Sequence, residues 1–328
     1  DISHMGRLRF DGPGAVELLN WLVTRDVSKI KTGYVRYSLA VNEAGGVLDD
    51  VLVSLFEDGA GTPYYLMVVN ASNREKIVAR IEERVEQHPL KDSQWSDLTE
   101  SWSMIAVQGP KALELLQPLV TADLAGMKYY TGFETLIDGR GGIVSRTGYT
   151  GEDGFEVILG ADAVVELWSK VLDAGESLGV MPAGLGCRDT LRLEAGMPLY
   201  GHELTEETNP YQAGLGFAVS LKKPEPFSGR DALARFKDDP DQLVRVGLEL
   251  EGKRIAREEF PIAADAESLE APVGRVTSGT FSPTLEKSLA MGYVSPKHAA
   301  VGTDVVIDIR GRPVPAKVVQ LPFYSRKE

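Results

Sequence analysis

The sequence predicts an α+β fold followed by a small β-barrel, and three observations support this prediction. Residues 1–236 mix apolar strands with amphipathic helices, without the regular strand–helix alternation of a doubly wound sheet. A polar stretch at Lys237–Asp241 then marks a change in composition. Beyond it, the chain contains only short strand patterns separated by turn residues, which is typical of a small barrel. We therefore expect a first region over 1–236, formed by two interleaved subdomains, a linker over 237–242 and a barrel over 243–328.

The first region opens with a helix, three strands and a second helix. Gly12 as cap and Pro13 in the first turn predict the start of the first helix. Ser72-Asn73-Arg74-Glu75 has the pattern of a capping box and predicts the start of the second, whose apolar residues recur every four positions at Ile77, Ile81 and Val85. β-Branched and aromatic residues predict the strands between them, over Tyr34–Ala40, Val47–Phe56 and Tyr64–Asn70.

A second unit of strands and helices follows, and then the barrel. The unit comprises a strand over Ser103–Val107, a helix over Lys111–Leu119, a strand over Phe155–Leu159 and a helix over Ala163–Leu178. The acidic, irregular stretch Glu258–Ala271 predicts an exposed loop. The predicted barrel strands are Leu243–Leu250, Val273–Ser278, Ala290–Val294, Val305–Ile309 and Ala316–Leu321.

Composition excludes several classes of function. The net charge of −13 argues against a nucleic-acid or anionic-membrane surface, which would need a basic face. No apolar run approaches the roughly 18 residues of a membrane span. The single cysteine, Cys187, allows no intramolecular disulfide, and we expect it to be a small buried packing residue. The four histidines lack metal-ligand spacing, so we expect no metal, and neither a dinucleotide-binding glycine motif nor a phosphate-binding loop occurs.

Two segments carry the residues best suited to binding a ligand. Arg146–Glu156, RTGYTGEDGFE, places three glycines beside an aromatic residue and carboxylates, and Pro182–Leu204 carries Arg188 along a helical stretch. Glycines allow close backbone approach or positive φ. A carboxylate accepts paired N–H donors, a guanidinium binds an anion in a bidentate manner and a ring stacks, which together suit a flat, amide-bearing heterocycle. The alternative is that the glycine-rich turn serves only the fold.

A pair of adjacent acids lies in a predicted strand–turn–strand segment, Asn42–Asp50. Because side chains alternate along a strand, Asp49 and Asp50 point to opposite faces. One acid can then face a cavity while the other faces water or caps the turn, and burial would raise the pKa of an acid on the core side. The alternative is that both acids decorate an edge strand.

These segments, with DISHMG at Asp1–Gly6 and VVNASN at Val68–Asn73, resemble the aminomethyltransferase (T-protein) family of the glycine cleavage system. The resemblance runs in order from Asp1 to Tyr324. It implies a folate-binding core of strands and helices around a central cavity, followed by the barrel. Members of the family normally carry further residues before the segment that matches DISHMG.

The resemblance also implies roles for individual residues. Asp50 matches the catalytic carboxylate, and Asp49 is then structural. Glu156 would bind the amide and amino donors of the pterin, Tyr149 would pack on its ring, and Arg188 would contact the ligand, or else form an ion pair with Asp189 or Glu194. Asn70 would either hydrogen-bond the pterin or cap the next helix. Further ligand contacts are implied for Tyr37, Val69, Tyr129 or its neighbour Tyr130, Met197 and Arg326.

The implied enzyme uses tetrahydrofolate as co-substrate and the lipoylated H-protein as partner. It transfers the methylene of an aminomethyl group on the lipoyl thiol, giving 5,10-methylenetetrahydrofolate and ammonia, without a metal. We expect a basic surface for the carrier at Arg7, Arg9, Arg25, Lys29 and Lys31, and a cytoplasmic location in a bacterium or the mitochondrial matrix in a eukaryote. The alternatives are a folate-dependent demethylase of a sulfonium or methylamine donor and a non-catalytic folate-binding iron–sulfur maintenance protein. The KGC-containing motif of the latter is replaced here by RTGYTGEDGFE.

Overall fold

The computed structural model, which describes residues 1–89 and 92–326, has two antiparallel sheets with helices, followed by a closed six-stranded barrel. The predicted α+β class with a C-terminal barrel is thus confirmed. No helix in these two ranges is both long and apolar enough to cross a membrane. The boundaries predicted for the first region, the linker and the barrel stay predictions.

The first sheet contains five strands in the order β2-β3-β4-β1-β5. They are β1 (Gly6–Asp11), β2 (Tyr34–Val41), β3 (Val47–Glu57), β4 (Pro63–Val69) and β5 (Gln94–Asp97). The helices α1 (Ala15–Leu22) and α2 (Arg74–Gln87) share one apolar core with its inner face. The predicted β2, β3 and β4 are confirmed, as are the apolar positions of α2, whereas β1 and β5 were not predicted.

Both predicted helix starts in this region are shifted. Helix α1 begins at Ala15, after Gly14 rather than at Gly12 and Pro13. The capping box at Ser72 is wrong, because α2 begins at Arg74 without a side-chain cap. The Asn73 side chain is used elsewhere: its amide donates a 2.6 Å hydrogen bond to Asp49 Oδ1.

The second sheet has the order β6-β9-β8-β7. Its strands are β6 (Trp102–Gln108), β7 (Gly132–Ile137), β8 (Arg140–Ser145) and β9 (Gly154–Gly160), covered by α3 (Ala112–Leu116) and α4 (Val164–Gly175). Sequence analysis missed the β7–β8 hairpin, although its two-residue turn is Asp138-Gly139 with φ of 48° and 76°. An Asp-Gly pair between strands favours this mirror-image turn, so a usable signal was present.

The two sheets pack against each other through a shared apolar layer. Val35, Leu66 and Val68 of the first sheet belong to the same buried cluster as Met104 and Ile158 of the second. Burying this layer removes large aliphatic side chains from water and fixes the angle between the sheets. The carboxyl-terminal part of β4 and the start of β9 therefore lie on opposite sides of one central space.

The barrel closes in the order β10-β13-β12-β11-β14-β15. Its strands are β10 (Val244–Leu250), β11 (Pro261–Ala263), β12 (Gly274–Ser282), β13 (Lys287–Val294), β14 (Asp304–Asp308) and β15 (Pro313–Val319). The prediction of an irregular exposed loop over Glu258–Ala271 is wrong for β11, where Ile262 and Ala263 are fully buried. A three-residue strand is too short to show an alternating pattern, and its pairing is set by closure.

Two further helices connect these parts: α5 (Leu185–Glu194) and α6 (Arg230–Phe236). Helix α5 contacts β12 and β13 of the barrel, so it joins the two regions. Cys187 in its first turn is exposed, which corrects its prediction as a buried packing residue. All residues from Met181 to Gly186 are exposed as well, so the first turn of α5 does not pack against a hydrophobic core.

Candidate active site

A cavity of about 880 Å³ lies between the first sheet, the turn before β9, helix α5 and the segment that follows α5. The structure brings seven of the predicted site residues to its wall. They are Tyr37, Asp50, Asn70, Tyr149, Glu156, Arg188 and Met197. These residues come from parts of the chain up to 160 positions apart, so the site exists only in the folded protein.

The two adjacent acids take opposite sides of β3, as strand alternation predicts. Asp50 lines the cavity, and Asp49 is completely buried behind it. Because β3 is paired with β2 on one side and β4 on the other, the alternative of an exposed edge strand is wrong. Asp49 also faces no water, contrary to that part of the expectation.

Asp50 is held in position by two neighbours. Its Oδ2 accepts a 3.1 Å hydrogen bond from the Tyr37 hydroxyl, and its Oδ1 accepts one of 2.8 Å from Asn70 Nδ2. Burial raises the pKa of Asp50, although the bonds from Asn70 and Tyr37 oppose the shift. Each oxygen accepts one side-chain hydrogen bond, so the carboxylate retains acceptor capacity on the cavity side.

Asp49 accepts three hydrogen bonds from Asn70 and Asn73. Oδ1 accepts hydrogen bonds from Asn70 Nδ2 at 2.8 Å and Asn73 Nδ2 at 2.6 Å, and Oδ2 accepts one from the Asn70 backbone N–H at 3.0 Å. Burial, and then the charge of Asp50, raise the pKa of Asp49 to about 7 despite these donors. Asp49 therefore fixes the link between β3 and the start of α2 and does not reach the cavity.

Asn70 connects the two acids. Its Nδ2 lies 2.8 Å from an oxygen of each carboxylate and 3.2 Å from the Asp50 carbonyl oxygen. Its side chain does not cap the short 3₁₀ helix that follows, Ala71–Asn73. Of the roles left open by the sequence, helix capping is therefore excluded, and Asn70 sets the orientation of Asp50 from the cavity wall.

Glu156 is the second carboxylate of the cavity, on β9. It is 5% exposed, and its Oε2 accepts a 2.5 Å hydrogen bond from Thr147 Oγ1. Burial raises the pKa of Glu156, while the Thr147 bond and then the charge of Arg188 act in the opposite direction. In the part of the chain that the structure describes, Oε1 accepts no hydrogen bond, so one buried carboxylate oxygen is available to a ligand.

Tyr149 and Arg188 lie against each other in the cavity wall. The Arg188 guanidinium carbon is 4.8 Å from the centre of the Tyr149 ring, and the Tyr149 hydroxyl donates to the Pro198 carbonyl. The alternative of an ion pair from Arg188 to Asp189 or Glu194 is wrong: within residues 1–89 and 92–326, no carboxylate lies within 4.0 Å of it. Asp189 pairs with Arg192 instead, at 2.7 Å.

Two glycines of the Arg146–Glu156 segment, Gly148 and Gly154, leave room for the side chain of Gln108. A Cβ at Gly148 would lie 2.1 Å from Gln108 Oε1, and one at Gly154 would lie 2.4 Å from the same atom. Gln108 Nε2 donates to the carbonyls of Thr147 and Phe155, at 3.0 and 3.1 Å. Gln108 thus braces the turn that carries Thr147 and Tyr149, and close approach to a ligand is not needed to explain these two glycines.

Three residues predicted to contact the ligand are not among those that line this cavity, and their contacts stay predictions. Val69 points to the opposite face of β4 and packs in the core with α1 and α2, so Val68 lines the cavity instead. Tyr129 is 40% exposed, and Tyr130, with φ of 61°, turns into the cavity. Arg326 is held outside by Asp153, at 3.2 Å, and lies over the Tyr129 ring.

The barrel supports the wall formed by Gly196–Tyr200. Arg192, which is 1% exposed, donates to Glu203 Oε2 at 2.7 Å and to Ser278 Oγ of β12 at 2.8 Å. Glu203 Oε1 in turn accepts from Thr277 Oγ1 at 2.5 Å. Because both ends of this wall are tied to β12, the barrel fixes the position of Met197 in the cavity.

Several cavity residues were missed by sequence analysis. Thr147 adjoins the glycine-rich turn, and that position was a usable signal. The others carry none, because their approach depends on packing between distant segments: His4, Arg25, Arg36, Phe217 and Arg245. Burial, and then the charge of Arg188, lower the pKa of His4. No group of three or more His, Cys, Asp or Glu side chains suited to a metal ion occurs among the described residues.

The predicted basic surface is not formed as expected. Arg7 is fully buried and donates to the carbonyls of Ser3, Thr99 and Trp102. Arg9 pairs with Asp11 at 2.8 Å. Arg25 lines the cavity. These residues therefore do not share one outer patch with the exposed Lys29 and Lys31.

Comparisons with known proteins agree with this architecture. The family model described as GCVT N-terminal domain matches residues 1–223, which contain both sheets and the cavity acids. The model described as Glycine cleavage T-protein C-terminal barrel domain matches residues 244–325, which contain the barrel strands.

Curated relatives and a solved structure match nearly the whole chain. The chain is 48% identical to an aminomethyltransferase of Rubrobacter xylanophilus, covering 100% of this chain and 83% of the relative. It is 44% identical to an aminomethyltransferase of Symbiobacterium thermophilum, and the match covers 99% of this chain and 85% of the relative. The crystal structure of glycine cleavage system aminomethyltransferase T from Bartonella henselae matches with a TM-score of 0.86 and 34% identity. The match covers 99% of this chain and 85% of that structure's chain. The chain therefore belongs to the glycine cleavage T-protein family.

Proposed function

We propose that this protein is the aminomethyltransferase of a glycine cleavage system. It takes the methylene of an aminomethyl group carried by a lipoylated H-protein and passes it to tetrahydrofolate, giving 5,10-methylenetetrahydrofolate and ammonia. Membership of the family and relatives that carry the name aminomethyltransferase support the class of enzyme. The single observation that carries the proposal is the cavity lined by two acids, the half-buried Asp50 and the buried Glu156, each with unused acceptor capacity.

The cavity suits a reduced pteridine with an aromatic extension. Its volume of about 880 Å³ lies in the range of sites for small organic ligands. At one part of the wall, Oε1 of Glu156, which accepts no hydrogen bond from residues 1–89 and 92–326, can accept the amide and amino N–H groups of the ring. The Tyr130 and Tyr149 rings and the side chain of Val68 provide flat and apolar surfaces beside it.

Asp50 is the residue that we assign to proton handling. Bound tetrahydrofolate supplies the amine nitrogens that receive the methylene. The Asp50 carboxylate can accept the proton that such an amine loses, since burial raises its pKa above the ordinary value and makes it a stronger base. The Tyr37 hydroxyl and Asn70 amide hold the carboxylate in one orientation, so little reorganisation is required during the reaction.

The remaining wall orients the reactants and limits water. Tyr149 donates a hydrogen bond to the Pro198 carbonyl, and Arg188 stacks on its ring, so the two side chains support each other in the wall. Gly196–Tyr200 is tied to the barrel through Arg192 and Glu203. A rigid, largely apolar wall favours the aligned geometry and reduces competing hydrolysis. The lipoylated partner and a cytoplasmic location in a bacterium remain part of the proposal.

A two-donor turnover assay tests the function. Purified protein is given tetrahydrofolate with either aminomethyl-loaded H-protein or a sulfonium methyl donor. We expect ammonia and 5,10-methylenetetrahydrofolate from the loaded H-protein in equal amounts, and no reaction with the sulfonium donor. Formation of 5-methyltetrahydrofolate from the sulfonium would instead establish a demethylase. Tight folate binding without turnover of either donor would favour a binding protein.

A further inference from the structure

The cavity wall is basic although the protein as a whole is acidic. The chain has a net charge of −13, yet five arginines line the cavity against three acids: Arg25, Arg36, Arg188, Arg192 and Arg245 against Asp50, Glu156 and Asp189. A positive, partly desolvated wall in an acidic protein attracts an anionic ligand. The question is which of these arginines have charge that the protein itself does not neutralise.

Two of the five are committed to the fold. Arg192 pairs with Glu203 and Asp189, both at 2.7 Å. Arg245 donates to the backbone carbonyls of Gly196 and Ala213, at 2.9 Å each. Both side chains hold the cavity wall to the barrel, so neither is free to bind a ligand anion.

The other three, Arg25, Arg36 and Arg188, have no carboxylate within 4.0 Å among residues 1–89 and 92–326. Arg188 lies over the Tyr149 ring, 4.8 Å from its centre, and so belongs to the part of the wall beside Glu156. Arg25 Nε makes only a long contact of 3.4 Å to the Tyr37 carbonyl, and Arg36 donates to the Val35 carbonyl at 2.8 Å. Both side chains line the same cavity, and burial, followed by the like charge of Arg36, lowers the pKa of Arg25. A pair of like charges on a cavity wall is stabilised by an anion between them.

Tyr37 lies between Arg25 and Asp50. The Tyr37 carbonyl contacts Arg25, while the hydroxyl at the other end of the same residue reaches Asp50. In tetrahydrofolate, a single benzene ring likewise separates the reacting N10 from the glutamate. The Phe217 ring, stacked on Tyr37 with centroids 6.1 Å apart and 64% exposed, offers an apolar surface along this path.

We propose that Arg25 and Arg36 form an anion subsite that binds the carboxylates of the glutamyl tail of the folate. This inference rests on the proposed function, because it places the reacting end of the same ligand at Asp50. The aminomethyl-lipoyl arm carries no anionic group, so the arginine pair distinguishes the folate from the second substrate. Guanidinium groups match carboxylates through paired, charge-assisted hydrogen bonds.

The test compares two ligands that differ only in the tail. Binding of tetrahydrofolate and of tetrahydropteroate, which lacks the glutamate, is measured by anaerobic calorimetry. Arg25→Gln and Arg36→Gln are each expected to weaken tetrahydrofolate about tenfold, the lower end of the range for a charged hydrogen bond, because both sites are half-exposed. Tetrahydropteroate is expected to bind equally well to both variants and to the unchanged protein.

Arg140→Gln is the matched control, with the same change of charge. Arg140 lies on the surface beside Asp162 and Glu166, at 3.7 and 3.3 Å, and outside the cavity, so it should change neither affinity. Arg36→Lys should recover part of the tetrahydrofolate affinity, since the charge remains.

Three results would overturn the inference. Equal weakening of both ligands would show that the arginines act on the pterin or on the cavity shape. Unchanged folate binding with a raised KM for aminomethyl-loaded H-protein would assign the pair to the acidic surface of the carrier. Failure of the unchanged protein to bind either ligand would reject the proposed function itself, and the subsite with it.

Discussion

The buried acids of the cavity differ from those between α5 and the barrel in how fully their oxygens are hydrogen-bonded. Glu156 accepts one side-chain hydrogen bond and Asp50 accepts two. Glu203 accepts three, from Arg192, Thr277 and the Leu199 backbone, and Glu194 accepts three from Ser282 and Thr284. Glu156, Glu194 and Glu203 are all buried, so burial alone does not separate structural from chemical acids. Unused acceptor capacity does.

The two groups also differ in what they require of their surroundings. A buried carboxylate that accepts three hydrogen bonds from the protein stabilises the fold only while those partners remain, because an unpaired buried charge is costly. A carboxylate with acceptor capacity left over is less favourable for folding and is useful only if a ligand completes it. The comparison therefore predicts that changes between α5 and the barrel reduce stability, whereas changes in the cavity reduce binding or turnover.

Removal of the Glu203 side chain is expected to give the largest effect. Glu203→Ala leaves the buried Arg192 without its fully buried partner, so the free energy of unfolding should fall by about 3–5 kcal/mol. Urea unfolding measures this change. Glu207→Ala, at an exposed position four residues later, is the control and should stay within about 0.5 kcal/mol of the unchanged protein. Equal stability of the two variants would contradict the structural role assigned to the acids between α5 and the barrel.

Asp50→Asn tests the cavity side. The amide keeps the shape of the side chain but cannot accept the proton, so turnover at saturating folate should fall by about 10²-fold or more. Folate affinity should change much less. The unchanged protein should lose turnover as the pH falls through the pKa of Asp50, which burial raises above its ordinary value. Single-turnover kinetics on folded, folate-saturated protein measure both effects.

Two outcomes would contradict this assignment. If Asp49→Asn abolishes turnover while Asp50→Asn is nearly normal, the acid behind the strand controls the chemistry. If both variants retain activity, neither carboxylate of this segment is the base. His4 then becomes the candidate base, because it lies on the cavity wall and its lowered pKa favours the neutral imidazole.

Glu156→Gln should affect binding more than the chemical step. The substituted amide places a donor where a ligand also presents N–H groups, which should weaken folate binding by about 1–3 kcal/mol. Calorimetry measures the dissociation constant, and kcat at saturation should remain nearly unchanged. Thr147→Val is a useful companion, because it keeps the Glu156 carboxylate and removes the 2.5 Å hydrogen bond to Oε2, together with the 2.9 Å contact between the Thr147 and Ser145 hydroxyls. An unchanged dissociation constant in Glu156→Gln would place the ligand elsewhere in the cavity.

Asp49→Asn should have the smallest effect on turnover and instead change how stability depends on pH. The pKa of Asp49 is raised from 3.8 to about 7 in the folded protein, so the native state binds the proton more tightly than the unfolded state does. Its contribution to stability is present below about pH 4 and is lost as the pH rises through about 7. Thermal unfolding between pH 5 and 8 should therefore show a weaker pH dependence in the variant, and an identical dependence would contradict the raised pKa.

The sequence alone determined the fold class, most of the long strands and the split of the adjacent acids. These follow from local rules: β-branched runs form strands, and alternation puts neighbouring side chains on opposite faces. Its motifs also located Asp50, Glu156 and Arg188, which the structure brings to one cavity. The Asp138-Gly139 pair is a further local signal, from which the β7–β8 hairpin could also have been predicted.

Only the tertiary structure decided which side chains meet. Val69 and Tyr129 adjoin cavity residues in the sequence but point away from the cavity, since strand alternation and the left-handed backbone of Tyr130 fix the direction of each side chain. Arg25 and Arg36 approach the site through the packing of a loop and an edge strand. The hydrophobic pattern of the sequence cannot predict such packing. Whether a buried acid is satisfied depends on donors up to 90 residues away, as for Glu194, and such distant pairing is set by the three-dimensional packing of the whole chain.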